Sequence, residues 1–258
     1  YWCHDNLEQP FTHGALRIFE QVGKADSFVY AMSLGDLSSV IDRVLAVSHW
    51  QSKALCEHFD LPNEKVSVIG NGLQPNLFER ELTLDNRKPI LIFSLPPDRG
   101  MQSLLEVFPR IRSRVPEAEL HLYSRTSLYG ESDEYDEEQF GDLLRVAQEM
   151  EGVHLHKPIP QKELAGKMGE ATVYVYPAHV NETFCISLLE AQAAGAVPVS
   201  TEIAAIGERI EHGVDGYLIK GSPWEPGYQK TFISRVTQLL LSRPMQKTLA
   251  TNAHARAH

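Results

Sequence analysis

The chain has 258 residues, a hydrophobic fraction of 43% and a formal net charge of -10 at pH 7. This length suffices for one large or two ordinary domains, and the composition is typical of a globular protein. The acidic balance argues against a nucleic-acid-binding protein, which normally carries a basic face, and no apolar run approaches the roughly 20 residues of a membrane helix.

The cysteines and the two ends indicate the setting of the chain. Cys3, Cys56 and Cys185 are far apart and lack metal-ligand spacing, which favours a reduced, cytoplasmic protein over a disulfide framework. A place at the inner face of a membrane stays open. The chain begins without methionine and ends in an alanine-rich helical pattern, so we interpret it as a piece of a longer protein.

Short apolar runs alternate with helical patterns, which indicates βαβ units and parallel sheets. In the first part, the pattern predicts a strand at 43–47, a helix from the N-cap Ser48 to Phe59, and a strand at 66–69. The segment 74–89 contains two prolines and mixed charges, and we interpret it as a linker between domains.

The second part predicts a fuller series of elements. Strands are expected at 90–94, 119–123, 153–155, 172–176, 197–200 and 217–219, and helices at about 101–114, 143–150, 161–168, 203–210 and 224–241. A further helix is expected between the strands at 172–176 and 197–200, with its N-terminus near Phe184. The acidic run 131–142 is interpreted as a solvated loop and helix start. The predicted fold class is therefore α/β, with parallel sheets flanked by helices.

The stretch from Glu182 to Val199 carries the strongest functional signal. Glu182 precedes a predicted helix, Glu190 follows with seven residues between the two, and the helix ends in small residues. A helix start offers free backbone N–H groups and partial positive charge, so the turn at 183–186 suits phosphate or sugar oxygens. Ionised glutamates only accept hydrogen bonds, which suits pairs of sugar hydroxyls. The combination indicates a nucleotide-sugar site.

This layout resembles the donor-binding signature of the retaining glycosyltransferases of family four. The flanking text is similar as well: Tyr176-Pro177 comes before it, and Glu208 and the segment 212–218 come after it. The resemblance implies the GT-B fold, in which two Rossmann-like domains face each other. Residues 1–82 would be the C-terminal portion of an incomplete acceptor-side domain, and 83–258 a nearly complete donor-binding domain.

The resemblance also implies roles for the loop that follows the strand at 90–94. Family members hold the diphosphate with an arginine and, five residues on, a lysine beside glycine. Arg99 and Gly100 match the second position, with a guanidinium in place of the amine, whereas Ser94 occupies the first and supplies a hydroxyl without charge. We therefore expect Arg99 to be catalytic and to stabilise the leaving diphosphate.

By the same resemblance, Glu190 binds the ribose hydroxyls, and Glu182, which is a candidate catalytic residue, contacts the transferred sugar. Backbone N–H groups at 183–186, which are Thr183, Phe184, Cys185 and Ile186, would face the sugar and its phosphate. Cys185 stands where relatives have glycine. Its side chain either narrows the choice of sugar or packs between helix and sheet, and both interpretations stay open.

His4 ends the first apparent strand, where relatives place a histidine near the transferred sugar, so it is a candidate catalytic residue. We find neither an Asp-x-Asp motif framed by strands nor a Cys/His cluster in the sequence. No metal or other cofactor is therefore expected.

The predicted function is transfer of a sugar from a nucleoside-diphosphate sugar to a glycan, lipid or protein acceptor, without a metal and with retention of anomeric configuration. A phosphorylase or an epimerase on the same fold is a second hypothesis. A third is a nucleotide-binding module that transfers nothing, because half an acceptor domain cannot enclose the donor and exclude water.

Overall fold

The computed structural model describes residues 18–21, 42–78, 82, 84, 85, 87–126 and 130–258, so His4 lies outside the described residues. The chain divides into two compact units. The first comprises Tyr1–Gly72, Asn181–Cys185 and Ala204–Glu208, and the second comprises Leu73–Val180, Ile186–Ile203 and Arg209–His258. The domain boundary predicted between residues 82 and 83 stays a prediction.

In the described part of the first unit, three parallel strands lie in the order β1-β2-β3: Ile18–Gln21, Arg43–Ala46 and Val66–Val68. Helix α1, His49–Phe59, follows β2. The Ser48 hydroxyl accepts a hydrogen bond from the Gln51 N–H at 3.0 Å, which confirms the predicted N-cap. A small apolar core lies between helix and sheet, and its buried members are Val44, Ala46, Leu55 and Leu61.

The second unit is built on six parallel strands, in the order β6-β5-β4-β7-β8-β9. In chain order these are β4 Ile90–Phe93, β5 Glu119–Leu122, β6 Val153–Leu155, β7 Val173–Tyr176, β8 Val197–Thr201 and β9 Tyr217–Ile219. Every residue of β7 and β8 is buried. The apolar side chains of β7 and of the first three residues of β8 are typical of strands that are covered on both faces.

Parallel strands need crossover connections, and helices supply most of them here. The helices after α1 are α2 Pro75–Phe78, α3 Met101–Arg112, α4 Asp133–Glu149, α5 Gln161–Glu170, α6 Ile186–Ala193, α7 Ile206–Arg209, α8 Pro226–Leu241 and α9 Arg243–Ala257. The predicted α/β class with parallel sheets flanked by helices is confirmed. Among the described residues, no helix combines the length and apolar character that a membrane span requires.

The strand order reverses at β4, which has β5 on one side and β7 on the other. Open α/β sheets bind ligands in the crevice at the carboxyl ends of the strands beside such a reversal. The loops after β4 and β7 meet there, because a Cβ atom on Gly100 would lie only 2.6 Å from the Pro177 carbonyl oxygen. The fold thus brings the predicted 94–100 loop against the residue that follows β7.

Two predictions about elements were incomplete. Strand β1 was not predicted, and α4 begins at Asp133 rather than at 143. Ser132 caps α4 by accepting a hydrogen bond from the Tyr135 N–H, and acidic residues in its first turn favour the helix dipole. Asp136 is buried and accepts a hydrogen bond from the Thr126 hydroxyl at 2.8 Å, so the acidic run is not simply a solvated loop.

Candidate functional site

The predicted site residues are distributed over both units. Glu182, Thr183, Phe184 and Cys185 belong to the first unit, whereas Ser94, Arg99, Gly100, Ile186 and Glu190 belong to the second.

The loop after β4 forms a tight turn around one 3-10 helix, Pro97–Arg99. Gly100 ends this turn with φ of 123°, a conformation that L side chains rarely adopt, and the close Pro177 carbonyl leaves no room for a Cβ atom. The residue beside Arg99 must therefore be glycine. This requirement fixes the position of the predicted diphosphate-binding loop against the end of β7.

Two polar side chains of this loop, those of Ser94 and Arg99, are suited to contact a bound ligand. The Ser94 hydroxyl is buried and has no hydrogen-bond partner within the described parts of the chain. A buried hydroxyl without a partner is costly, so a ligand or an ordered water that pairs with it is favoured. The Arg99 side chain is 29% exposed, and its Nε lies 3.6 Å from a carboxylate oxygen of Asp98. Such a surface pair contributes little stability.

Glu190 lies in the second turn of α6 and is buried, with 8% of its surface exposed. The Gln161 side-chain amide donates a hydrogen bond to Glu190 Oε1. Burial raises the pKa of the Glu190 carboxyl, and the hydrogen bond from Gln161 partly opposes this shift. Because Gln161 begins α5, this hydrogen bond links the start of α5 to the carboxylate. No sequence pattern singles out Gln161.

Hydrogen bonds within the second unit anchor α6 at both of its ends. Near its start, the Ser187 hydroxyl and the Tyr174 hydroxyl lie 2.8 Å apart. Beyond its end, the buried Arg87 guanidinium donates to the carbonyl oxygens of Gly195 at 2.6 Å and Ala171 at 2.9 Å. Burial lowers the pKa of Arg87 to about 10. A cation at the carboxyl end of a helix is favourable, and these bonds fix the register of α6.

The residues just before α6 have a strained backbone. Cys185 has φ of 67°, in the left-handed region that glycine adopts without cost, and its side chain is 6% exposed. A non-glycine residue there costs about 1–2 kcal/mol. This geometry explains why glycine suits the position in the family pattern. Phe184 is buried near Gly70, where an added Cβ atom would lie 3.3 Å from the Phe184 ring.

Glu182 is half-buried, and its carbonyl oxygen accepts a hydrogen bond from the Ala205 N–H at 3.1 Å. Glu208 belongs to the same unit and caps α1. Its two carboxylate oxygens accept from the N–H groups of His49 at 3.0 Å and Trp50 at 2.6 Å. The N-terminus of α1 is therefore occupied by a carboxylate of the protein itself.

The segment 212–218 has a structural role in the second unit. His212 Nδ1 accepts a hydrogen bond from the Leu218 N–H at 3.1 Å, and Asp215 accepts one from the Glu211 N–H at 2.8 Å. Gly216 approaches the Pro198 carbonyl so closely that a Cβ atom would lie 2.6 Å from the oxygen. These contacts build the turn into β9.

A cavity of about 660 Å³ lies beside the turn at Gly100, between α3 and α4. Its charged lining is mostly acidic: Asp98, Glu137, Glu138, Asp142 and Arg145. Arg145 is already 2.5 Å from Asp142. None of Ser94, Arg99 and Glu190 lines this cavity, and its excess of carboxylates would repel a diphosphate.

The structure also assembles a group that the sequence analysis missed. Glu119 and His121 on β5 point to the same face as His154 on the edge strand β6, and His121 is the register partner of His154. Glu119 Oε2 lies 3.2 Å from His121 Nε2 and 3.9 Å from His154 Nε2. The sequence signal was the spacing of two residues in Glu119-x-His121 and His154-x-His156. The sequence shows no Cys/His cluster because the pairing of β5 with β6, which the sequence does not reveal, is what brings the two segments together.

A family model described as "Glycosyl transferases group 1" matches residues 88–240, which is more than half of the chain. The chain belongs to this family. The resemblance inferred from Glu182, Glu190 and their surroundings is thereby confirmed at the level of the family.

Curated members of the family are similar along part of their length. D-inositol 3-phosphate glycosyltransferase from Thermobispora bispora is 29% identical over 199 residues, which cover 70% of this chain and 45% of the relative. Phosphatidyl-myo-inositol mannosyltransferase from Mycobacterium tuberculosis is 28% identical over 183 residues, covering 67% of this chain and 43% of the relative. The chain thus spans about half the length of the curated relatives that it matches.

Solved structures of glycosyltransferases have the same fold. Anabaena Alr3699/HepE, solved in complex with UDP-glucose, superposes with a TM-score of 0.71 at 19% identity over 93% of this chain and 66% of that one. Staphylococcus aureus TarM, solved with UDP among its ligands, gives 0.68 at 15% identity over 88% of this chain and 42% of that one. At this level of identity the likeness concerns the fold alone.

Proposed function

We propose that this chain binds a nucleoside-diphosphate sugar and forms the donor-binding part of a retaining, metal-independent glycosyltransferase. The observation that carries the proposal is the buried Glu190 carboxylate, which Gln161 holds from one side at the carboxyl edge of a doubly wound sheet. A buried carboxylate is costly unless it is paired. A ribose offers two neighbouring hydroxyl donors to such a group.

The diphosphate would lie between the turn at 94–100 and the start of α6. When the glycosidic bond breaks, negative charge develops on the leaving phosphate, and positive groups that wait there lower the barrier. Arg99 supplies a full charge, and the N-terminus of α6 supplies about half a charge. Ser94 adds a hydroxyl donor, and Gly100 allows the loop to approach β7. Arg99 and the helix dipole would take the place of a divalent cation.

The anomeric configuration is retained when the acceptor attacks the anomeric carbon on the same face from which the diphosphate departs. In the proposed reaction, the bond between the anomeric carbon and the phosphate oxygen breaks, and the acceptor oxygen bonds to the same face of that carbon. The acceptor proton passes to the leaving phosphate oxygen. Glu182 and the N–H groups at 183–186 would hold the transferred sugar, as the family resemblance implies. His4 stays a predicted contact to that sugar.

A uridine nucleotide is the donor class that we infer. Alr3699/HepE was solved with UDP-glucose, and the pneumococcal O-GlcNAc transferase GtfA was solved with UDP and GlcNAc. Because both proteins share the fold of this chain, we infer that its donor is a UDP-sugar as well. The acceptor would be a hydroxyl of a glycan, lipid or protein, and the predicted cytoplasmic location stays a prediction.

Calorimetric titration of the 258-residue chain with UDP, GDP and UDP-glucose tests the proposal. Because the chain spans about half of its curated relatives, donor binding is the step that it can report directly. Glu190→Ala removes charge-assisted hydrogen bonds of about 1.5–3 kcal/mol, so we expect UDP affinity to fall about 10- to 100-fold.

Glu149→Ala is the matched control, since Glu149 is an exposed glutamate at the C-terminal end of α4, in the same unit as Glu190. It should bind UDP like the parent chain. Equal affinities of the two variants would remove the ribose role of Glu190. Failure of all three nucleotides to bind the parent chain would overturn the proposed function.

A further inference from the structure

We propose that Glu119, His121 and His154 form a binding site for a zinc-like divalent transition-metal ion on the edge of the second sheet. The three side chains project from paired strands, and their ligand atoms lie within 4.8 Å of one another. The site is independent of the proposed donor site, and its test does not depend on glycosyl transfer.

The donor set suits such an ion. Two imidazoles and one carboxylate are the ligands that catalytic zinc sites use, and imidazole favours zinc, copper and nickel over magnesium or calcium. Tetrahedral ligands at about 2.0–2.1 Å from zinc are roughly 3.3 Å apart. The 3.2 Å between Glu119 Oε2 and His121 Nε2 already matches this spacing. The 3.9 Å to His154 Nε2 closes with a small rotation of an exposed ring.

The surroundings orient the central ligand. His156 Nε2 lies 3.0 Å from His121 Nδ1, so His121 can donate its Nδ1–H to His156 and present the lone pair of Nε2 to a metal. Zinc ligands usually carry such an outer partner, which fixes the tautomer and the ring orientation. His156 is held in turn by Tyr123, whose ring stacks on it at 4.4 Å between centroids and 10° between planes.

The bound ion would tie the edge strand β6 to β5. Strand β6 is a three-residue edge strand that pairs with β5, so an added link between these two strands would strengthen its pairing. Three protein ligands leave a fourth tetrahedral position for water. Because the ion would link β6 to β5, we expect the metal to stabilise the edge of the sheet.

The test is a titration of the chelator-treated, tag-free chain with Zn²⁺ by calorimetry and with Co²⁺ by visible absorption. We expect one saturable site per chain and a Co²⁺ spectrum typical of low coordination number. His154→Asn changes a side chain that is 47% exposed, so the fold should persist, and Zn²⁺ affinity should fall about 100-fold. His156→Asn, which removes only the outer partner, should lower affinity about 10-fold.

His58→Asn is the matched control, because His58 is an exposed histidine in the other unit. Its Zn²⁺ affinity should equal that of the parent chain. Zinc should also raise the thermal unfolding midpoint of the parent chain but not of His154→Asn. Absence of saturable binding, or equal affinities of the parent chain and His154→Asn, would overturn the proposal.

Discussion

Helices α1 and α6 both begin at the carboxyl edge of a parallel sheet, but their N-termini differ in charge. At α1, the Glu208 carboxylate accepts hydrogen bonds from the first two N–H groups, and Ser48 accepts a third. At α6, no acidic residue lies in the first turn, and Cys185 precedes the helix in a strained conformation. A helix start that a protein carboxylate already neutralises is a poor site for phosphate. The N-terminus of α6 is therefore the better candidate for binding the diphosphate.

The largest expected effect comes from making α6 resemble α1. Ile186 is 45% exposed at the first position of α6, so Ile186→Glu should fold and should even favour the helix dipole. The new carboxylate would repel the diphosphate, and we expect UDP affinity to fall about 100-fold by calorimetry. Ile186→Gln, which lacks the charge, is the control. Equal UDP affinities of these two variants would mean that the diphosphate binds elsewhere.

A second test concerns the carboxyl end of α6. Arg87→Met should lower the free energy of unfolding by about 2 kcal/mol, because the carbonyls of Gly195 and Ala171 lose a charged donor in a buried region. Urea denaturation measures this change. Arg145→Met, at a guanidinium with 65% exposure, should change stability by less than about 0.5 kcal/mol. A similar loss in both variants would deny Arg87 its structural role.

At α1 we expect the reverse pattern of effects. Glu208→Gln weakens two hydrogen bonds to the helix start and should cost about 1 kcal/mol of unfolding free energy. UDP affinity should remain unchanged, because that helix is not the proposed phosphate site. A large loss of UDP affinity with unchanged stability would contradict the comparison.

The smallest expected effect is the pH dependence that Glu190 contributes. Its folded pKa is raised above the ordinary value of 4.5, so the ionised carboxyl destabilises the unliganded protein at neutral pH. This penalty disappears as the pH falls through the folded pKa toward the unfolded one. Glu190→Gln should therefore be slightly more stable than the parent chain at pH 7 and equal to it below pH 4.5, as measured by urea denaturation. A variant that is less stable at pH 7 would contradict the direction of the shift.

Several parts of the fold could be predicted because the signal is local. Strand β7 is a continuous apolar run, β8 begins with three apolar residues, and Ser48 is a strong N-cap before α1. The predicted start of α4 lies too far along the chain, because the acidic run 131–142 was interpreted as a solvated loop and helix start. The buried Asp136 and the Ser132 cap show that the same acidic residues begin a helix.

The parts that could not be predicted depend on pairing between distant segments. The sequence identifies Glu190 as an acceptor, but only the fold brings Gln161 to it. It places His121 and His154 on strands, but only the register of β5 and β6 makes them neighbours. Glu208 was noted as part of a pattern, and its contact with α1 gives it a physical role.

The most direct test of the donor site is a crystal structure of the chain with UDP bound. We expect phosphate oxygens about 3 Å from the N–H groups at the start of α6 and from Arg99, with both ribose hydroxyls hydrogen-bonded to Glu190. A diphosphate that binds instead in the cavity lined by Glu137 and Asp142, with Glu190 contacting only Gln161, would contradict this expectation.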